Sequence, residues 1–291
     1  MEITTRNPNK NEITALQQIW ETVFGSDDAP LFFSHCFSAE LCVVASHASA
    51  PIAAGYLLPA GCYMPGSGNK SIPASMIYGV ATLPEYRGRG LGTTVVRSLI
   101  SLSYELGYPA VALCPAEDSL FEYYSARTSL RDWFYIREER FVKPSIGKGG
   151  AKLINITPDE YAEVRSGFLP DIAHMVTSLR SIEYQSMLCA QYGGGLCRID
   201  TPAGVACAIA EMQPGRLLCI KELFAPVGHE TDTLSSIADA FHADHYSVRT
   251  PAPSPPAGAS IRRFGMLTPL PGLHDAPDAI GFLPWLGPAF D

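Results

Sequence analysis

The sequence has little charge and lacks the signals of disordered, membrane or exported proteins. Only 17% of its 291 residues are charged and 47% are hydrophobic, a balance that excludes a disordered chain. No apolar run approaches the ~18–20 residues of a membrane span. The N-terminus, Met1 to Pro8, lacks the basic flank and apolar stretch of a signal peptide. We therefore expect a globular, cytoplasmic protein without a membrane partner.

Metal-binding and disulfide patterns are also missing. None of the eight cysteines forms a Cys-x-x-Cys pair, and no Cys/His cluster has zinc-ligand spacing. Most cysteines lie inside apolar runs such as Ala110–Cys114, which is typical of free core thiols. We predict reduced cysteines and no metal.

Positive charge is in deficit, since the formal net charge is −8. This balance argues against a nucleic-acid partner and favours cationic ones. The length favours two domains, and a run of small and basic residues at 143–152 predicts the boundary between them. We assign residues 1–145 to the first domain and 150–291 to the second.

The first half alternates strands and helices. Helical spacing of apolar residues predicts a helix over Glu12–Phe24, and another on which Val95, Leu99, Leu102 and Leu106 share one face before Gly107 ends it. A further short helix begins near Asp118 or Ser119. Strands are predicted at Leu41–Ser46, Ile52–Tyr63, Ile72–Thr82, Ala110–Cys114 and Trp133–Val142.

The second half partly repeats this order. After a strand at Lys152–Ile156, Thr157 and Glu160 form a capping box at a helix start. Strands at Leu196–Asp200, Val205–Met212 and Leu217–Phe224 and a helix over Thr233–Phe241 follow. Glu222, on the last of these strands, is interpreted as a paired structural carboxylate, with a substrate contact as the alternative.

A glycine-rich loop between the Ile72–Thr82 strand and the following helix carries the strongest signal. Gly88, Gly90 and Gly92 let backbone amides converge at a helix N-terminus, and Arg87 and Arg89 add positive charge. Together these features predict an anion cradle for a phosphate. A P-loop is excluded because no Gly-Lys-Ser/Thr ends the loop. The Gly-x-Gly-x-Gly spacing also fits a dinucleotide fold badly.

The motif resembles a known family. Arg87-x-x-Gly90-x-Gly92, preceded by a strand ending in Val80-Ala-Thr82, is similar to the acetyl-CoA signature of the Gcn5-related N-acetyltransferases (GNAT). The resemblance covers roughly residues 1–142 and is specific over about 76–128. It implies an α/β (α+β) fold with a mixed, mostly antiparallel central sheet flanked by helices. The repeated element order extends this expectation to two tandem GNAT-like domains, the second without the cofactor loop.

The resemblance also implies cofactor contacts. Amides of the loop hold the CoA pyrophosphate, and backbone groups of the preceding strand pair with pantetheine in a cleft where the strands Ile72–Thr82 and Ala110–Cys114 splay apart. The implied cofactor-binding residues are Val80, Thr82, Arg87, Gly88, Arg89, Gly90, Leu91, Gly92 and Thr93.

Tyr124 is the implied catalytic acid. The family commonly carries a tyrosine in a Phe-Tyr-x-x-x-Gly-Phe segment, and Tyr124 matches it by position, whereas Thr128-Ser129 replaces Gly-Phe. A phenol there would protonate the departing thiolate, and a backbone N–H near Val80 would face the developing oxyanion. The alternative is that Tyr123 and Tyr124 are ordinary helix aromatics.

A general base is not evident in the strand Ile72–Thr82, which has no carboxylate. The tail Pro284–Asp291 is unusually apolar and aromatic for a chain end. Our hypothesis is that the Asp291 carboxylates act in the cleft as bases or as anchors for a cationic substrate. Multidomain acetyltransferases of the enhanced-intracellular-survival type resemble that arrangement.

The sequence therefore predicts an N-acetyltransferase that moves acetyl from acetyl-CoA directly to an amine, with a cationic small molecule as acceptor. Two alternatives stay open: a catalytically silent CoA-binding regulator, and an enzyme that acts on a protein amine. A homo-oligomer is also left open.

Overall fold

The computed structural model describes residues 3–66, 70–142, 151–254, 260–270 and 281–290. The chain divides into two compact units. Unit 1 comprises Met1–Tyr63, Ser71–Trp133 and Gly265–Asp275; unit 2 comprises Met64–Lys70, Phe134–Phe264 and Ala276–Asp291. Each unit thus combines separate stretches of chain. The domain bounds 1–145 and 150–291 stay a prediction, and residues 143–150 of the expected boundary lie outside the described residues.

The chain begins with a strand, two helices and an antiparallel series of strands. These first elements are β1 (Thr4–Arg6), α1 (Ile13–Phe24), α2 (Ala29–His35), β2 (Cys42–His47), β3 (Ala50–Met64), β4 (Ile72–Thr82), α3 (Leu91–Glu105), β5 (Ala110–Leu113), α4 (Ser119–Arg127) and β6 (Arg131–Val142).

The later elements follow a similar alternation. They are β7 (Lys152–Asn155), α5 (Pro158–Ser166), β8 (His174–Thr177), α6 (Leu179–Gln191), β9 (Gly195–Thr201), β10 (Gly204–Gln213), β11 (Leu217–Phe224), α7 (Glu230–Phe241), β12 (His245–Pro251), β13 (Pro253–Ser254), β14 (Ile261–Leu267) and β15 (Gly281–Phe282).

Unit 1 is built on a mixed sheet in the order β1-β2-β3-β4-β5-β14, to which β14 contributes its last residues. Neighbouring strands are antiparallel except β4 and β5, which are parallel and are joined through α3. Helix α3 packs on this sheet because one face is apolar: Val95 and Leu99 are fully buried in the core. The predicted fold class, a mostly antiparallel sheet flanked by helices, is confirmed.

Unit 2 repeats this order of pairing with β7-β9-β10-β11-β12-β6. Its strands are antiparallel except β11 and β12, which are parallel and are joined through α7. Helix α7 buries Ile237 and Ala238 against the sheet. Each unit therefore has four antiparallel strands, a crossover helix, a parallel strand and a closing antiparallel strand.

Local signals located most of the helix ends correctly. The Thr157 capping box is confirmed, since the Glu160 N–H donates to Thr157 Oγ1 (3.3 Å) and the Thr157 N–H donates to Glu160 Oε2 (2.8 Å). Helix α3 ends at Glu105, and Gly107 takes a left-handed φ of 83°. Leu106 is the C-cap residue, and its N–H still donates to the Leu102 carbonyl oxygen (3.0 Å), but its side chain is 46% exposed and does not join the buried face.

All eight cysteines are free thiols, as predicted, and five of them are buried. Within the described part of the chain, no helix is long and apolar enough to cross a membrane. Over the same residues, no three His, Cys, Asp or Glu side chains come together as a set of metal ligands.

Candidate active site

The glycine loop links β4 to α3 in unit 1. Gly88 and Gly90 both have φ of 76°, a left-handed conformation that suits glycine, and Gly90 is the N-terminal cap of α3. A Cβ on Gly88, Gly90 or Gly92 would meet no heavy atom within 4 Å. The space beside these three glycines is therefore open, directly at the N-terminus of α3. This is a geometry in which an anion binds at a helix N-terminus.

Two exposed guanidinium groups flank the loop. Arg87 Nε donates to the Thr82 carbonyl oxygen (3.2 Å), which ties the loop back to the end of β4. Arg89 donates to the Glu85 carbonyl oxygen (3.4 Å), and its guanidinium lies 5.5 Å from the centre of the Tyr86 ring. Both arginines are exposed in the loop itself, and guanidinium groups suit phosphate recognition.

Strands β4 and β5 part next to this loop. They pair over four positions, from Ala74–Ala110 to Ile77–Leu113, and β4 then continues to Thr82 while β5 ends. Tyr78 to Val80 are half-buried, whereas Ala74 to Ile77 are buried. The backbone of β4 beyond Ile77 therefore has no pairing partner in β5, and an extended ligand can pair with such a strand edge. The family resemblance leads us to expect splayed strands at this place.

A β-bulge lies within this parted segment. On the β3 side, Tyr78 pairs with Tyr56 and Ala81 with Ala54, so two β4 residues, Gly79 and Val80, oppose one residue of β3. Gly79 has φ of 59°, and a Cβ there would lie 2.6 Å from Trp20 Cζ3. The bulge re-aims the backbone at Val80. Sequence reasoning missed it, although a glycine inside a strand is the usual signal.

Helix α4 positions the two tyrosines differently. Tyr124 is 8% exposed and belongs to the apolar core of unit 1; burial, and then the neighbouring Tyr123, raises its pKa to about 12. Tyr123 is half-buried and accepts a hydrogen bond from Thr93 Oγ1 (2.7 Å). The guanidinium of Arg127 covers its ring at 4.4 Å. Tyr123 therefore ties α4 to the first turn of α3.

The residue that departs from the family pattern closes helix α4. Thr128 has an extended backbone; its N–H and its hydroxyl both donate to the Tyr124 carbonyl oxygen, at 2.8 and 2.7 Å. The hydroxyl also accepts from the Leu130 N–H (3.2 Å). The helix thus has an ordered end without the glycine that the family commonly carries.

Glu222 is a buried, paired carboxylate in unit 2, in agreement with the structural interpretation. Arg165 donates to it through Nε (2.7 Å) and a terminal nitrogen (3.0 Å), and Tyr161 donates its hydroxyl (2.5 Å). The fourth donor is Trp285 Nε1 (2.6 Å), from the C-terminal tail. A Cβ on Gly287 would lie 2.7 Å from Arg165, so the tail is closely packed on this pair.

The tail lies where the strands of unit 2 part. Strands β11 and β12 pair only as far as Ile220–Val248, and a bulge at Lys221 follows, much as β4 bulges beyond Ile77. The Leu283 N–H donates to the Ala252 carbonyl oxygen just beyond β12 (2.8 Å). Residues 221–224 are all buried here. The end of β11 beyond Ile220 is therefore buried, and the tail contacts it through the hydrogen bond from Trp285 to Glu222.

The cofactor-binding residues predicted from sequence lie at the end of β4, in the glycine loop and in the first turn of α3. The predicted catalytic residue Asp291 lies outside the described residues. Glu85 is exposed in the loop, and Tyr78 packs against Trp20.

Comparison with known families agrees with this geometry. Residues 4–127 match the family model described as an acetyltransferase (GNAT) domain. No curated protein shows significant similarity to the sequence.

Solved structures share the fold over nearly the whole chain. A GCN5-related N-acetyltransferase from Anabaena variabilis ATCC 29413 has a TM-score of 0.69 and 16% identity, over 91% of this chain and 72% of that one. One from Kribbella flavida has a TM-score of 0.65 and 16% identity, over 91% and 70%. Eis1 from Mycobacterium abscessus has a TM-score of 0.58 and 12% identity, over 91% and 73%. At these identities the likeness concerns the fold.

Proposed function

We propose that the protein is an N-acetyltransferase that transfers acetyl from acetyl-CoA directly to an amine, with a small cationic molecule as acceptor. The observation that carries the proposal is the parting of β4 and β5 directly beside an open glycine loop at the N-terminus of α3. The GNAT domain match over residues 4–127 supports the same reading.

The residues around the loop fit CoA. The loop and helix amides from Gly88 to Thr93, with open space beside the three glycines, suit a pyrophosphate, and Arg87 and Arg89 add positive charge to the loop. The β4 edge beyond Ile77 suits the amides of an extended pantetheine arm. We propose as cofactor-binding residues Val80, Thr82, Arg87, Gly88, Arg89, Gly90, Leu91, Gly92 and Thr93.

Acetyl-CoA, when bound, supplies an activated thioester to the acceptor amine. In our proposal Tyr124 holds a proton for the departing thiolate. Because its pKa is raised to about 12, its hydroxyl stays protonated throughout the neutral range. The re-aimed backbone at Val80 offers an N–H to the developing oxyanion.

We also propose roles for the C-terminal Asp291 and for unit 2. Asp291 carboxylates would act as bases or as anchors for a cation, which the net charge of −8 favours. Unit 2 would be a second, degenerate GNAT-like domain that does not bind CoA, since its strand pairing matches unit 1 and the tail occupies the end of β11 through Trp285. We place the enzyme in the cytoplasm.

The cofactor site is tested by a matched pair of glycine variants. Gly90 and Gly107 lie at opposite ends of α3, have φ of 76° and 83°, and both have open space where a Cβ would go. Gly90→Ala and Gly107→Ala therefore carry the same backbone strain, about 1–2 kcal/mol. We expect Gly90→Ala to weaken CoA binding at least tenfold by calorimetry and Gly107→Ala to leave it unchanged. Equal effects would contradict the proposed loop.

Activity is tested by thiol release from acetyl-CoA with a panel of polyamines, aminoglycosides, a lysine peptide and a peptide with a free N-terminus. Turnover on the cationic small molecules supports the proposal. Turnover on the peptides alone identifies a protein amine as acceptor. CoA binding without turnover on any amine identifies a silent regulator.

A further inference from the structure

Unit 2 contains a cavity that the proposed function does not use. It has a volume of about 330 Å³ and lies among α5, the segment after it, β8 and the start of α6. Its lining is mainly apolar and includes Met64, Ala162, Leu169 and Ile182. The volume is within the range of small-molecule sites, which combine apolar walls with a few polar groups.

The charged group at this cavity is already neutralised. Arg165 lines it and is 4% exposed. Its guanidinium makes a bidentate ion pair with Glu222 at 2.7 and 3.0 Å and donates weakly to the Met175 carbonyl oxygen at 3.4 Å. A net charge on a ligand would therefore find no free counter-ion on Arg165, and burial without one is costly. The cavity accordingly favours an uncharged ligand.

His174 supplies the polar contact. It lines the cavity and is 8% exposed. Its Nδ1 lies 2.6 Å from the Ile172 carbonyl oxygen, so Nδ1 carries the proton that is donated there. Burial, opposed in part by that hydrogen bond, lowers its pKa, and the positive charge of Arg165 adds to this effect. The neutral ring thus keeps a lone pair on Nε2, which has no hydrogen-bond partner among the described residues.

We propose that this cavity binds a small, uncharged, mainly apolar molecule that donates one N–H or O–H to His174 Nε2. The apolar walls select the body of the ligand, the ion pair of Arg165 disfavours charge, and the lone pair on His174 Nε2 sets the orientation. The site belongs to unit 2 alone, so the inference does not depend on acetyl transfer.

Indole and 1-methylindole form a matched pair of probes, because both are uncharged and aromatic and only indole has an N–H donor. We expect saturable binding of indole to the full-length protein in the millimolar range or tighter by NMR titration. One net hydrogen bond corresponds to about fivefold in affinity, so 1-methylindole binds about fivefold more weakly. In His174→Phe the two probes bind equally.

Ala162→Leu adds bulk on the cavity wall and suits a helix, so we expect it to weaken indole binding at least tenfold. Ala190→Leu, at an exposed position of α6 away from the cavity, is the control and leaves binding unchanged. The proposal is overturned if indole shows no saturable binding or binds Ala162→Leu as it binds the wild type. Equal affinity of the wild type for both probes overturns the role of His174.

Discussion

At the scale of single residues, Tyr124 is the proposed proton donor, and its burial keeps the phenol in the neutral, protonated form. Because its pKa is raised to about 12, the phenol is protonated at every pH between 7 and 9. We expect Tyr124→Phe to lower kcat by about 10²–10⁴-fold, and by the same factor across that pH range. Tyr104→Phe, at an exposed tyrosine of α3, should leave kcat unchanged. Unaltered turnover of Tyr124→Phe from pH 7 to 9 would remove this residue from the mechanism.

His174 allows a prediction about stability. Its pKa is lowered in the folded protein. In the unfolded chain the imidazole therefore binds a proton near pH 6.5, whereas in the folded protein it binds one only at lower pH. The free energy of unfolding therefore falls as the pH drops below about 6.5, by at most about 1.4 kcal/mol per pH unit. The groups that face the imidazole are Arg165, whose charge keeps the ring neutral, and Glu222, which opposes that effect.

The variant His174→Asn removes the titrating imidazole and so isolates its contribution to the pH dependence of stability, because the amide can still donate to the Ile172 carbonyl oxygen. Urea unfolding of both proteins at pH 5, 6 and 7.5 gives the comparison. We expect a shallower decrease for the variant between pH 7.5 and 5. Parallel curves would show that His174 does not titrate differently in the folded and unfolded states.

At the scale of elements, the bulge in β4 depends on Gly79. A methyl group there would meet Trp20 Cζ3 at 2.6 Å and Tyr56 Cδ2 at 3.0 Å, on a backbone with φ of 59°. Left-handed strain and overpacking together predict that Gly79→Ala lowers the free energy of unfolding by about 2–4 kcal/mol. Because the bulge re-aims the β4 edge, CoA binding should also weaken, as calorimetry on the folded variant would measure.

Gly25→Ala is the control. It also places a methyl group on a left-handed backbone, with φ of 91°, but at the end of α1 and in open space, so we expect CoA binding close to that of the wild type. If Gly79→Ala bound CoA normally despite its lower stability, the bulge would be a packing feature without a role in binding the cofactor.

At the scale of the whole molecule, most features that depend on residues close together in sequence were predicted, and most that depend on residues far apart in sequence were missed. The bounds of β4, the glycine loop and the Thr157 cap rest on neighbours in sequence, and their signals were readable. Strand β14 was not predicted, because its partner lies far along the chain: Met266 of β14 pairs with Leu113 of β5. Strand β12 was also not predicted, although it pairs with the nearby β11. The network around Glu222 likewise joins residues from α5, β11 and the tail.

The ion pair of Arg165 and Glu222 in this network is buried, and its burial needs a physical reason. Removing one partner of such a pair costs about 3–5 kcal/mol, whereas replacing both by apolar groups is often neutral. A role in fixing register is the best-attested reason for keeping one. The tail is apolar and makes backbone hydrogen bonds with Ala173 and Met175. An extended segment of this kind can shift its pairing register along the neighbouring strand. The indole of Trp285 is the group that ties it to Glu222.

We therefore expect the tail to lose its register when this tie is removed. Trp285→Phe leaves the Arg165–Glu222 pair intact but removes the indole N–H, and Glu222→Gln breaks the pair itself. Both should speed hydrogen exchange at the amides of Leu283 and Trp285 at least tenfold. Glu211→Gln is the matched control, because it breaks a different buried pair, with Lys221, and should leave these amides protected. Unchanged exchange in Trp285→Phe and Glu222→Gln would mean that apolar packing alone holds the tail, and the ion pair would then need another explanation.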